Sequence, residues 1–322
     1  MVIDRRAFLA STVSVLVGPL AAAAQQAGKL WRIGLLGLDD PSSRPFVQGL
    51  RNLGWIEGQN IALDRRFSPN YDRLADLAQD LVRLHVDVIV AANAPSTRAA
   101  AAATRTIPIV MAPTGDPVSA GFVSSLARPG GNITGVAIMH PELSGKRLEL
   151  IVATLPGVKR IAVLANPENP STPAMLGETS GRARALGIEL VRFEATATSQ
   201  FRSLFESMTR QRVDALVVLG DPFFNRESRE IVRLALRHRL AGVYEWYTFA
   251  EAGGLIAYGP RLEELRRKAA GYVDKILKGA RPEELPIEQP ETFDLVINLK
   301  TAKALRLTIP PSLLLRADQV IE

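Results

Sequence analysis

The sequence predicts an α/β protein built as two doubly wound parallel-sheet lobes, on three observations. Short β-branched runs alternate with Leu- and Ala-rich helical stripes along most of the 322 residues. Between Leu84 and Arg98 a buried strand, Val86 to Val90, opens into a small and polar loop, Ala91 to Thr97, and then into an Ala-rich helix. The same pattern returns later, where Val213-Asp214 leads into the strand Ala215 to Leu219 and the loop Gly220-Asp221-Pro222. The offset between the copies is nearly constant: Ile33 matches Ile161 at 128 positions, and Asp87 matches Asp214 at 127. A chain of this length supports two domains of ordinary size.

Each element follows from local pattern. Leu30 to Leu36 reads as the first strand, with a carboxyl-end loop over Gly37 to Ser43. Phe46, Leu50 and Leu53 mark a helix stopped by Gly54. Ile61 to Phe67 is the second strand, and Tyr71, Leu74, Leu77, Ala78 and Leu81 have the spacing of an amphipathic helix. Further strands are expected at Ile107–Met111 and Asn132–Ala137. A helix over Gly145 to Leu155 leads into the second copy, whose strands fall at Val158–Leu164, Glu189–Phe193, Ala215–Leu219, Gly242–Tyr244 and Gly254–Gly259. Loops are expected at Gly220–Asn225 and Glu245–Thr248, and a helix at Arg226–His238. Leu262 to Leu277 reads as a helix with one apolar stripe, Phe293–Asn298 as a late strand and Lys300–Leu305 as a short helix. Ile309-Pro310-Pro311 is expected to end regular structure.

Composition narrows the function. Hydrophobic residues make up 47%, which supports a substantial core and argues against disorder. The net charge of +6 is scattered, without a long basic run or interleaved aromatics, which argues against nucleic-acid binding. Without cysteine there is no disulfide, thiol nucleophile or lipid-anchored Cys. Residues 1–24 read as an export signal: Arg5-Arg6 resembles a twin-arginine motif with Asp4 before it, an apolar stretch follows, and Ala22-Ala23-Ala24 offers a cleavage site. The apolar stretch is shorter than the about 20 residues a membrane span needs.

A longer set of residues carries a family likeness: Thr106–Val110, Gly115–Val118, Gly121–Val123, the run Ser125–Val136 containing Leu-Ala-Arg-Pro-Gly-Gly-Asn-Ile-Thr-Gly, Asn298–Leu305 and Ile309–Leu314. With these the chain resembles the substrate-binding proteins of ABC transporters with the type 1 periplasmic fold, in the branch that includes tryptophan- and tyrosine-binding members. The resemblance implies two lobes joined by a three-segment hinge that closes on a ligand. Crossovers are then expected near 137–141, 259–261 and 288–291. Lobe 1 would comprise 28–138 with 261–288, and lobe 2 would comprise 139–260 with 289–322.

In such a fold, ligands bind outside the carboxyl ends of the strands. Ser96 and Thr97 precede a helix and offer hydroxyl and backbone donors to a carboxylate, or Ser96 is simply the N-cap. Ser42 has the same two roles open, and Thr114, in a loop expected to face the cleft, is a further ligand-binding candidate. Asp116 and Asp221 are candidate partners for an ammonium, or turn aspartates before proline. Asn93 and Asn166 either bond the ligand or cap their loops. Phe223, Trp246 and Tyr247 are candidates for stacking on an apolar side chain, or belong to the core. No cofactor or metal site is expected. The three histidines, His85, His140 and His238, pair with no nucleophile elbow, and no metal-ligand or phosphate-loop spacing occurs. The expectation is a periplasmic, monomeric, non-catalytic protein that delivers a small molecule, an amino acid with aromatic ones favoured, to an inner-membrane ABC permease. A sensor of the same fold and a periplasmic α/β enzyme are the alternatives.

Overall fold

The computed structural model describes residues 29–37, 43–138 and 140–322. The expected export segment and Ser42 lie outside them. The first sheet collects β1 (Trp31–Gly37), β2 (Ile61–Phe67), β3 (Val88–Ala91), β4 (Ile109–Thr114) and β5 (Ile133–Ala137). Its order is β2-β1-β3-β4-β5, all parallel. The helices α1 (Arg44–Asn52), α2 (Leu74–Arg83) and α3 (Ala94–Ala103) connect these strands. Alternation along β3 shows the double winding. Val88 and Val90 join the layer of Phe46 and Leu50, while Ile89 and Ala91 join that of Leu74, Ala78 and Ala100.

The second sheet holds β6 (Arg160–Ala165), β7 (Glu189–Glu194), β8 (Ala215–Val218), β9 (Ala241–Tyr244), β10 (Ile256–Gly259), β11 (Asp294–Asn298) and β12 (Gln319–Ile321). Its order is β12-β11-β10-β9-β8-β6-β7. One face is covered by α4 (His140–Thr154) and α5 (Thr172–Ala185), through Leu148, Ile151, Met175 and Ala183. The other is covered by α6 (Phe201–Arg210) and α8 (Ser228–Arg237), through Phe201, Phe205, Ile231 and Leu234.

The chain passes between the sheets three times. It leaves the first after β5 and returns after β10 with α10 (Leu262–Leu277), which packs on α1 and β4. Glu288 then bridges to Val136 beside β5 before the chain runs into β11. This route explains a departure from an all-parallel sheet. β11 re-enters from the rim that β10 has just left, so the two strands run antiparallel. Regular structure also continues past Ile309: α11 (Leu299–Leu305) is followed by α12 (Pro311–Leu314) and β12, with Pro311 at the helix start, where a missing N–H costs nothing.

Gly49 sets how closely α10 approaches α1. A Cβ there would lie 2.8 Å from the Ala270 Cβ and 3.1 Å from the Arg267 carbonyl oxygen. Gly49→Val therefore overpacks this contact, with an expected loss of about 1–3 kcal/mol. It also displaces the helix that brings Arg266 to the gap between the sheets, and thermal unfolding reads the loss.

Candidate functional site

The carboxyl ends of β3 and β4 face those of β6, β8 and β9 across a cavity of about 70 Å³. The first lobe contributes Asn93, Pro113, Thr114 and Gly115, and the second contributes Asn169, Ser171, Asp221, Asn225 and Trp246. The first turn and a half of α10 adds Leu262 and Arg266. Larger clefts flank this cavity. One of about 360 Å³ lies between Asn70–Asp72 and the stretch from Thr196 to Thr198, with Phe223 and Arg226. Another of about 620 Å³ lies along Trp246, Tyr247 and the start of α10.

Two hydroxyls in the cavity wall are buried and have no hydrogen-bond partner among the described residues: Thr114 Oγ1 and Ser171 Oγ. They come from opposite lobes. Thr114 ends β4 where the register with β5 shifts, and a bulge of this kind re-aims a side chain. Ser171 stands at the N-cap of α5, but its backbone is helical (φ −82°, ψ −13°) and its hydroxyl caps nothing. A buried hydroxyl left unbonded costs about 1–3 kcal/mol, so the pair marks a place that a polar ligand group would complete.

Asp221 organises the opposite wall. It is 2% exposed and N-caps α7 (Pro222–Arg226), accepting from the N–H of Phe223 at 2.9 Å and of Phe224 at 3.1 Å. Asn169 Nδ2 donates to it at 2.9 Å and Asn166 Nδ2 at 3.3 Å. From the other lobe the Tyr71 hydroxyl donates at 2.8 Å. Burial pushes the Asp221 carboxyl above the usual carboxylate range, and these donors pull it back. Burial and the neighbouring Asp221 charge push the Tyr71 hydroxyl well up. Two more bonds cross the gap: Arg226 Nη1 to the Pro69 carbonyl at 2.8 Å, and Arg98 Nη2 to the Glu168 carbonyl at 2.9 Å.

Below Trp246, Glu245 at the end of β9 meets Arg147 of α4 at 3.2 Å, both essentially inaccessible. Arg147 also donates to the Tyr258 carbonyl at 3.2 Å and the Ser144 hydroxyl at 3.1 Å. Burial lowers the affinity of its guanidinium for the proton, and Glu245 offsets this.

The family model described as ABC transporter substrate binding protein matches residues 40–321. The chain belongs to the ABC transporter substrate-binding protein family. A tyrosine-binding protein of Clostridioides difficile (strain R20291) is 28% identical over 268 residues, 83% of this chain and 76% of that protein. The structure of an ABC domain in complex with L-Trp from Streptococcus pneumoniae is 29% identical and superposes with a TM-score of 0.84, over 91% of this chain and 100% of that one. A conserved domain protein from Vibrio cholerae is 28% identical with a TM-score of 0.85, over 91% and 100%. These relationships establish the type 1 periplasmic binding fold for this substrate-binding protein.

The expected residues of this substrate-binding protein divide by position. Asn93, Thr114, Asp221 and Trp246 line the central cavity. Asn93 is also the N-cap of α3, accepting from the Ser96 N–H at 3.0 Å. Ser96 and Thr97 are fully buried; the Ser96 hydroxyl donates to the capping Asn93 Oδ1 at 2.9 Å, and the Thr97 hydroxyl donates to the Asn93 backbone carbonyl at 2.9 Å. Asn166 and Phe223 line the 360 Å³ cleft, with the Phe223 ring stacked 5.5 Å from Phe201 and beneath the Arg226 guanidinium. Tyr247 is 43% exposed on the 620 Å³ cleft. Asp116 lines none of these cavities, and its carboxylate accepts from the Val118 and Ser119 N–H groups and the Ser119 hydroxyl of its own turn. The loops expected at Gly220–Asn225 and Glu245–Thr248 contain short helices, α7 and α9 (Tyr247–Glu251), because Asp221 caps and Pro222 starts the first of them.

Sequence reasoning did not single out Tyr71, Ser171, Asn225, Arg226 or Arg266. Only Ser171 and Asn225 carried a signal, since the sequence places polar loops at Asn166–Ser171 and Gly220–Asn225, each after a strand. Among the described residues no group of acidic or histidine side chains is arranged to hold a metal ion, and no helix is long and apolar enough to cross a membrane.

Proposed function

We propose that this chain is the extracytoplasmic solute-binding component of an ABC import system. It captures a small solute in the gap between the lobes and offers its closed form to an inner-membrane permease. The observation that carries this reading is the pair of orphaned hydroxyls, Thr114 and Ser171, one from each lobe, opening on one cavity. The three cross-lobe hydrogen bonds support a closed arrangement. Opening would turn 28–138 with 261–288 against 139–260 with 289–322 about the crossovers. Export through the twin-arginine segment places a monomer in the periplasm. Tyrosine and L-Trp, the ligands of its relatives, make amino-acid-like carboxylates, aromatic ones first, the class to titrate.

The test is calorimetric titration of the parent protein and of Thr114→Val and Ser171→Ala against such a panel. Each variant loses about tenfold in solute affinity. In the solute-free state each holds or gains up to about 1 kcal/mol of stability, because an orphaned polar atom has gone. Variants that bind as the parent does would remove the basis of the reading.

A further inference from the structure

Resting on the solute-binding reading, we propose that the solute is a carboxylate anion with no ammonium group beside the carboxylate, a departure from the amino acids its relatives take. An amino acid needs an anion for its ammonium as well as donors for its carboxylate. Asp221 is the one acidic side chain among the described residues that line the central cavity. A carboxylate has about four lone-pair sites. The Tyr71 hydroxyl, Asn169 Nδ2 and the N–H groups of Phe223 and Phe224 take them at 2.8–3.1 Å, with Asn166 Nδ2 further out at 3.3 Å. An arriving ammonium would have to displace one of these donors and strand it in a buried wall. Asp116 faces its own turn, and neighbouring Glu245 faces Arg147.

Donors, by contrast, converge on the cavity. The Thr114 and Ser171 hydroxyls are buried with no partner among the described residues, and Ser171 stands at the amino end of a 14-residue helix. The amino end of the ten-residue α3 opens on the same space through Asn93 and Ala94. Arg226 and Arg266 are the cationic side chains in its wall. Two helix amino ends and the guanidinium groups favour negative charge and repel an ammonium, and the two hydroxyls can donate to a carboxylate held there.

Matched pairs test this on the full chain by calorimetry: 3-phenylpropanoate against L-phenylalanine, and propionate against L-alanine. Native mass spectrometry after incubation with a whole-cell metabolite extract identifies whatever binds. The expected result is that the carboxylate of at least one pair binds at least about tenfold tighter than its amino acid, and that Thr114→Val and Ser171→Ala each weaken it about tenfold. An amino acid that binds as tightly as its ammonium-free partner, and is weakened by the same variants, overturns the anion assignment and leaves solute binding standing. If both pairs are silent, the extract decides. A captured ammonium-free carboxylate supports the assignment, and any other captured molecule overturns it. Silence in both pairs and the extract overturns the solute-binding reading with it.

Discussion

Arg147→Ala should lower the stability of the protein by about 3–5 kcal/mol, the cost of removing one partner of a buried ion pair. Arg147 and Glu245 are 0% and 1% exposed in their side chains, with 3.2 Å between Nη2 and Oε2, so water does not screen the loss. The substitution takes the countercharge from a buried carboxylate and also removes donors to the Ser144 hydroxyl and the Tyr258 carbonyl. In a chain of this size the melting temperature should fall by roughly 5–8 °C. The double variant Arg147→Met with Glu245→Leu separates pairing from packing. Replacing both charges by apolar groups is often neutral, so it should recover most of the loss. Chemical denaturation of both variants checks this, and a single variant that costs under about 1 kcal/mol would show that the pair is not closely coupled to folding.

Asp221→Ala is expected to cost about 2–4 kcal/mol, because it removes an N-cap and leaves buried donors without an acceptor. The Phe223 and Phe224 N–H groups and the Tyr71 hydroxyl lose this acceptor at once, and Asn169 keeps only the Gly220 carbonyl at 3.3 Å. Tyr71→Phe isolates the cross-lobe part. It keeps the ring and the cap of α7, and removes only the 2.8 Å hydroxyl bond. Its effect on stability should be the smaller, about 1–2 kcal/mol. Small-angle scattering of the solute-free protein should shift toward a wider separation of the lobes, and solute affinity should fall. Unchanged scattering and affinity would assign this bond to packing alone.

Strands were readable from sequence wherever burial is two-sided. Val88 to Ala91 and Ala215 to Val218 are continuous apolar runs, and a parallel strand between two helix layers admits little else. The rim loops were readable because small polar residues follow each run. The direction of β11 was not, since it depends on the chain arriving from another lobe and not on any property of Asp294 to Asn298. The short helices after Asp221 and Trp246 were missed because five-residue helices leave no periodicity to find. Asp116 and Asp221 share the Asp-Pro pattern, and sequence offered both as ammonium partners. Only the fold shows the first turned into its own loop and the second encircled by donors. Arg266 was hidden among the polar residues of a helix read only for its apolar stripe, and Gly49 of α1 lets that helix approach closely enough to bring it to the cavity.

The threefold passage between sheets bears on how this protein can be taken apart. No single cut divides the polypeptide into two independent units. Cleavage at 260 would leave α10 seated on the first sheet and β11 threaded into the second, on one fragment. A nicked molecule should therefore run as one species in native gel filtration and separate only in denaturant. Attempts to express either half from one contiguous stretch should yield an unfinished module.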